Sequence, residues 1–300
     1  MIKLAFSEKY IYKLPDGHRF PIEKYELVKE QLIYEGTITA NQVYDPGLVE
    51  EELVLKIHTR EYWDKLRNLT LNKKEIRRIG LPVTSLSFKR ARNSVAGTVT
   101  AAENALKAGL GINLAGGTHH AYADYGEGFC VLNDLAIASR HLLDDFGITR
   151  ILIVDLDVHQ GNGTAKIFED EPSVFTFSMH GEHNYPLKKE RSDLDIHLKS
   201  DIQDDEYFES LSDNLNRIVE RFEPQFIFFQ AGVDVLYSDR LGKLGLTKEG
   251  IKARDRLVID ICKAHNIPLV ITMGGGYSSK LPDLVDAHCN TFRIAISNFS

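Results

Sequence analysis

Five short apolar runs constrain this chain more than any other feature in it. They are Gly111–Ala115, Arg150–Val154, Ser173–Phe177, Gln225–Phe229 and Ile267–Thr272. Each is rich in β-branched or aromatic residues and nearly continuous rather than alternating, the pattern of a strand covered on both faces. Helical patterns lie between them. One starts at Asn133-Asp134, good N-cap residues, and runs to Phe146 with Gly147 as its stop. A second covers about 204–222, where Phe208, Leu211, Leu215, Ile218, Val219 and Phe222 form the predicted core face. A third starts near Thr247 and ends before Pro268. Strands that alternate with helices predict an α/β fold, a single-domain parallel β-sheet flanked by helices with right-handed crossovers. The stretch before residue 90 reads as more helical, with 23–35 and 48–58 predicted to pack on the sheet.

With 43% hydrophobic residues the chain can bury a substantial core. No linker, repeat or low-complexity tract divides it, so one domain over 1–300 is expected. The net charge of −7 argues against nucleic-acid binding. It suits a cationic substrate, but mild acidity is common in cytosolic proteins. Cys130, Cys262 and Cys289 offer no paired spacing, which points to a reducing compartment rather than a disulfide framework. The apolar run at the N-terminus is too short for a signal peptide, and nothing approaches a membrane span. A soluble, cytoplasmic protein is the expectation.

The chemistry lies in the segments just after the strands, since sites in open parallel sheets form beyond the strands' carboxyl ends. The polar ends are Gly116-Gly117-Thr118-His119-His120, Asp155-Leu156-Asp157-Val158-His159-Gln160-Gly161-Asn162-Gly163, Gln230-Ala231-Gly232-Val233-Asp234 and Met273-Gly274-Gly275-Gly276-Tyr277. All four are predicted to converge. Asp155, Asp157 and His159 are spaced by two, so on an extended strand they share one face. Such groups are costly to bury unless they bind a metal or each other. With Asp234, Asp157 and His159 supply one nitrogen and two carboxylates, three ligands with an open position, as in a catalytic zinc site. A buried ion-pair cluster is the alternative. In the His119-His120 pair, one ring is a candidate general base to water and the other a proton donor or electrostatic partner. Asp155 is a candidate to orient one of them. The triple glycine is not a phosphate loop. It leaves Tyr277 either facing the site as an oxyanion donor or packed on the next helix. Cys130 reads as a small buried residue before it reads as a nucleophile.

Together these motifs resemble the histone deacetylase superfamily, which has the arginase–deacetylase fold. The resemblance spans about 80–277 and adds Gly128-Phe129-Cys130 and Asn133-Asp134 to the segments above, Ala231-Gly232-Val233-Asp234 among them. His159-Gln160-Gly161-Asn162-Gly163 and Asp239-Arg240-Leu241-Gly242 look most like class IV deacetylases and their bacterial relatives. By that resemblance Asp157, His159 and Asp234 hold one zinc ion per chain. His119 and His120 are the histidine pair, with His120 the general base, and Tyr277 donates to the oxyanion. The family's structural potassium would fall on Asp155, Ser178 and the carbonyls of Asp157, His159 and Met179. Gly128 and Phe129 would line the acyl channel, with Tyr185 as the facing wall. Gln160 and Asn162 depart from the class I pattern, which has a second His and an Asp there.

The implied activity is hydrolysis of the amide of acyl-lysine, acetyl or longer, in a protein or peptide substrate. Its rivals are an acetylpolyamine amidohydrolase, a non-catalytic acyl-lysine-binding scaffold and an arginase-type enzyme with two manganese ions. The last needs a bridging acid two residues after the His, where this chain has Gly161.

Overall fold

The computed structural model describes residues 2–299. Eight strands form one sheet: β1 (Leu4–Ala5), β2 (Val43–Tyr44), β3 (Leu110–Asn113), β4 (Ile151–Asp155), β5 (Val174–Gly181), β6 (Leu194–Leu198), β7 (Phe226–Gln230) and β8 (Leu269–Thr272). Their order is β2-β1-β3-β8-β7-β4-β5-β6, and every neighbouring pair is parallel. The helices are α1 (Lys24–Tyr34), α2 (Glu51–Val54), α3 (Arg60–Asn68), α4 (Lys73–Ile79), α5 (Ser85–Ala108), α6 (Asp134–Asp145), α7 (Asn162–Ile167), α8 (Asp204–Phe222), α9 (Lys248–Ala264) and α10 (Leu281–Phe299). This is the α/β fold expected from the alternating runs.

The central strands β3, β4, β7 and β8 are buried along their whole length, which is why they read as unbroken apolar runs. The long helix α5 lies against β3. A Cβ added at Gly111 would come within 1.9 Å of the Ala101 carbonyl oxygen, so only glycine lets helix and strand backbones approach this closely. Asn133 caps α6 by accepting the Ala136 amide, as its residue type predicts.

Two expectations are corrected. The helix predicted over 48–58 shrinks to Glu51–Val54, followed by a turn. On α8 the core face includes Leu211, Leu215, Ile218 and Val219, but Phe208 is 39% exposed and Tyr207 is buried in its place. Among the described residues no helix is long and apolar enough to cross a membrane.

Candidate metal centre and active site

The strands β3, β8, β7 and β4 are consecutive in the sheet. Their polar ends therefore meet. Around 155–159 the geometry differs from the extended strand expected. β4 stops at Asp155, and Asp157 and His159 lie in the turn beyond it. The cause is local: Asp155 Oδ1 accepts the Asp157 amide at 3.2 Å, and Asp157 Oδ1 accepts the His159 amide at 3.0 Å. Side-chain bonds to the backbone two residues on turn the chain. Asp155 is then free to meet His119, while Asp157 and His159 meet Asp234.

Among the described residues one group of His, Cys, Asp or Glu side chains could hold a metal ion, and it is Asp157, His159 and Asp234, all buried. His159 Nδ1 lies 3.0 Å from Asp157 Oδ1 and 3.2 Å from Asp234 Oδ2. Bonds of about 2.0–2.1 Å to a tetrahedral zinc put ligand atoms roughly 3.3 Å apart, so the donor set fits that ion. The remaining carboxylate oxygens are tied to the protein. Asp157 Oδ2 accepts the Gly275 amide at 2.8 Å and Gln230 Nε2 at 3.0 Å, and Asp234 Oδ1 accepts the Val158 amide at 2.9 Å. A Cβ at Gly275 would sit 2.0 Å from Asp234 Oδ2, so the glycine turn can close over the carboxylates only without a side chain.

Electrostatics give the same picture. Burial opposes charge on His159, yet Asp157 and Asp234 outweigh it and raise the ring to about 10. Burial, then the Asp157 charge, pushes Asp234 up. Two buried acids facing one imidazole thus demand a positive charge between them, as a proton or as a metal ion.

The two central histidines have different partners. His119 Nδ1 lies 2.7 Å from Asp155 Oδ2. Burial works against its charge, but Asp155 and Asp157 raise it to about 9. His120 Nδ1 lies 2.6 Å from Asn162 Oδ1. Asn162 Nδ2 donates to Glu127 Oε1 and to the Tyr122 hydroxyl, which fixes the amide so that its oxygen faces His120. His120 must then carry its proton on Nδ1 and leave Nε2 as an acceptor. Burial and the neighbouring His119 and His159 hold it well below the usual histidine range. The two rings are 4.1 Å apart by centroid, and His120 is 5.9 Å from His159.

Tyr277 lines the same cleft, its ring 6.3 Å from His159 and 5.9 Å from Phe129. It does not pack away on α10. Burial and the two nearby acids push its hydroxyl well up, so it stays protonated. Its amide donates to Asp239 Oδ2 at 2.6 Å, while Lys24 Nζ reaches the Gly274 carbonyl at 3.0 Å. Phe129, with φ +68°, and Gly128 line a cleft of about 370 Å³ together with Tyr185, whose ring is 5.1 Å from His120. Ser178 pairs in register with Asp155, and both line a small cavity of about 10 Å³. Met179 follows, fully buried on β5. Burial raises the Cys130 thiol, which argues against a nucleophile.

Two residues support the site in ways the sequence does not show. Asp134 accepts the Gly117 and Thr118 amides and fixes the turn into His119. Arg254, fully buried beside Asp255, donates to the carbonyls of Leu156 and Gly232, one residue before Asp157 and two before Asp234. Its one sequence signal is an Arg254-Asp255 pair inside an otherwise apolar helix face.

The family described as histone deacetylase domain matches residues 18–292. The chain belongs to the histone deacetylase family. It is thereby a hydrolase of the deacetylase type. An uncharacterized protein of Picosynechococcus sp. is 44% identical over 97% of both chains. Histone deacetylase 2 of Arabidopsis thaliana is 29% identical over 87% of this chain and 70% of its own length. For histone deacetylase 1 of Homo sapiens the identity is 27%, over 95% of this chain and 62% of the human protein. The crystal structure of the HDA15 HD domain superimposes with a TM-score of 0.82 at 21% identity, covering 99% of this chain and 88% of that domain. That likeness shows the arginase–deacetylase fold.

Proposed function

We propose that this histone deacetylase family member is a zinc-dependent deacylase that hydrolyses the amide of acyl-lysine, acetyl or longer, in protein or peptide substrates. The observation that carries this reading is the buried Asp157–His159–Asp234 cluster under a cleft lined by Phe129, Tyr185 and Tyr277. An aromatic-walled cleft accepts an aliphatic lysine chain and leaves its amide at the cluster. Residues 1–300 act as one deacetylase domain, because β1 and the end of α10 lie outside 18–292 yet belong to the same sheet and core. Gln160 and Asn162 favour a class IV type, and a cytoplasmic location agrees with the free cysteines.

Zinc, when bound by Asp157, His159 and Asp234, supplies Lewis acidity to the acyl carbonyl and a water that ionises near neutral pH. His120 Nε2 accepts the proton of the attacking water. Tyr277 donates its hydroxyl proton in a hydrogen bond to the oxyanion that forms on the carbonyl oxygen. His119, hydrogen-bonded to Asp155, donates a proton to the leaving lysine amine. Phe129, Gly128 and Tyr185 exclude water from the lysine chain. A structural potassium ion is proposed at Asp155, Ser178 and the carbonyls of Asp157, His159 and Met179. The small cavity between Asp155 and Ser178 supports it.

The test is a screen of zinc-loaded protein against lysine peptides from acetyl to myristoyl, with acetylpolyamines in parallel. Release of carboxylate from a peptide is expected. Full zinc loading with no hydrolysis of any acyl-lysine peptide would leave the binding scaffold standing instead, and turnover of acetylpolyamines alone would reassign the substrate.

His120 also yields a pH test. Its neutral form is the base, so kcat/KM should fall on the acid side as His120 gains its proton. Asn162→Asp combined with Glu127→Gln, which gives the second aspartate oxygen an amide donor in place of a carboxylate, puts a negative charge at 2.6 Å from Nδ1, which raises the pKa of His120. The acid limb of the kcat/KM profile is expected to move to higher pH. An unmoved limb would separate His120 from the base.

A further inference from the structure

Around the mouth of the cleft the charge is opposite to that of the chain. The protein as a whole carries −7. The cleft is lined by Arg19, Arg77, Arg78 and Lys243, with no Asp or Glu among the lining residues. All four cations are exposed, and among the described residues none of them forms an ion pair. Lys56, Arg140, Lys166 and Arg293, by contrast, are each held by nearby carboxylates.

These cations are tied to the walls of the acyl-lysine channel. Arg77 and Arg78 close α4, whose N-terminus is capped reciprocally by Asn72 and Glu75. The carbonyls of Arg78 and Ile79 accept the amides of Gly128 and Phe129 at 3.2 and 2.7 Å. The helix end that presents the arginines is therefore the same backbone that seats the Phe129 wall. The Arg78 guanidinium lies 4.4 Å over the Tyr125 ring, and that of Arg19 lies 5.6 Å from the centre of Phe129. Lys243, in the loop between β7 and α9, lies against the segment carrying Tyr185: its Nζ reaches the His183 carbonyl at 3.4 Å.

We propose that this mouth selects acyl-lysine substrates with acidic residues beside the acyl-lysine. The proposal rests on the deacylase reading above and names its substrate class. Consecutive residues of an extended peptide are about 3.3–3.6 Å apart, so side chains one or two positions from the lysine stay near the rim. They fall within the Debye length of about 8 Å at physiological salt. A cleft lined by one sign of charge focuses its field on such groups. Polyamines, as polycations, meet repulsion at the same rim. A nucleic acid needs a basic face much longer than this one, and the remainder of the surface is net acidic.

Each exposed charge pair changes binding by roughly 1.4- to 5-fold. Two acidic flanks are then expected to raise kcat/KM by about 3- to 10-fold over neutral ones at low salt, with basic flanks lower still. The experiment compares three acetyl-lysine peptides that differ only in flanks of Asp/Glu, Asn/Gln or Lys/Arg. It measures kcat/KM on zinc-loaded protein at low and high salt, and binding of labelled versions by fluorescence anisotropy. The acid preference is expected to shrink as salt rises and to be lost in R77E/K243E, where Arg19 and Arg78 face two glutamates. Because each protein is read as a ratio between peptides, a general loss of activity in the variant cancels. Equal kcat/KM and equal binding across the three peptides, a preference for basic flanks, or an unchanged ratio in R77E/K243E would overturn the proposal. Absence of hydrolysis from all three would instead count against the deacylase reading, and the order of binding would still decide the charge preference.

Discussion

Replacing Tyr277 with Phe is expected to lower kcat for acyl-lysine hydrolysis by about a hundred- to a thousandfold, the usual cost of removing one oxyanion donor. The ring keeps its place, since its neighbours are the aromatic faces of Phe129 and Phe20 and the ring of His159. Its backbone is held independently by Asp239. The lost group is therefore the hydroxyl alone. Zinc content should be unchanged, because Tyr277 is not among the candidate ligands. Single-turnover kinetics with metal analysis on the same sample separate the two quantities. Near-normal kcat in Tyr277→Phe would remove it from the oxyanion site.

Asp234→Asn is expected to weaken zinc binding by more than the roughly 10- to 100-fold that the loss of a ligand's supporting partner costs. The substitution preserves shape and keeps an oxygen for the Val158 amide, which Asp234 Oδ1 now accepts. What it removes is one of the two charges facing His159 Nδ1. Competition with a zinc-binding dye gives the affinity, and hydrolysis at one equivalent of zinc should be lost with it. Stoichiometric zinc of wild-type affinity in Asp234→Asn would exclude Asp234 from the ligand set.

The central strands and the site they converge on were legible because their signals are local. β3, β4, β7 and β8 are buried on both faces and read as continuous apolar runs. The outer strands β1, β2 and β6 were not legible. β1 and β2 have two residues each, too few for any period, and the edge strand β6 has a half-exposed pattern with His197 at the surface. The helix α5 escaped because it is buried on several sides by Ala, Val, Ser, Thr and Gly, so no single stripe stands out. Phe208 fits the helical stripe by spacing, but spacing leaves the phase of the stripe open, and Tyr207 next to it takes the core position.

Within the site, the spacing of Asp157 and His159 and the strand-end position of Asp234 mark the three as a set, and the structure brings them together. It could not show that the chain turns after Asp155, since two side-chain-to-backbone hydrogen bonds decide that. Nor could spacing pair Lys24 with Gly274 or Arg254 with Leu156, which are far apart in the chain and meet only through the fold. The cationic rim was hidden for the same reason. Arg19, Arg77, Arg78 and Lys243 are scattered along a net acidic sequence and gather at one cleft.

The most direct measurement is a zinc titration of chelator-stripped protein, with hydrolysis of an acyl-lysine peptide followed by mass spectrometry at each addition. No hydrolysis in the stripped protein, then a linear rise that levels at one zinc per chain, is the expected result. Full hydrolysis without metal, or activity that levels only at two manganese ions per chain, would contradict it.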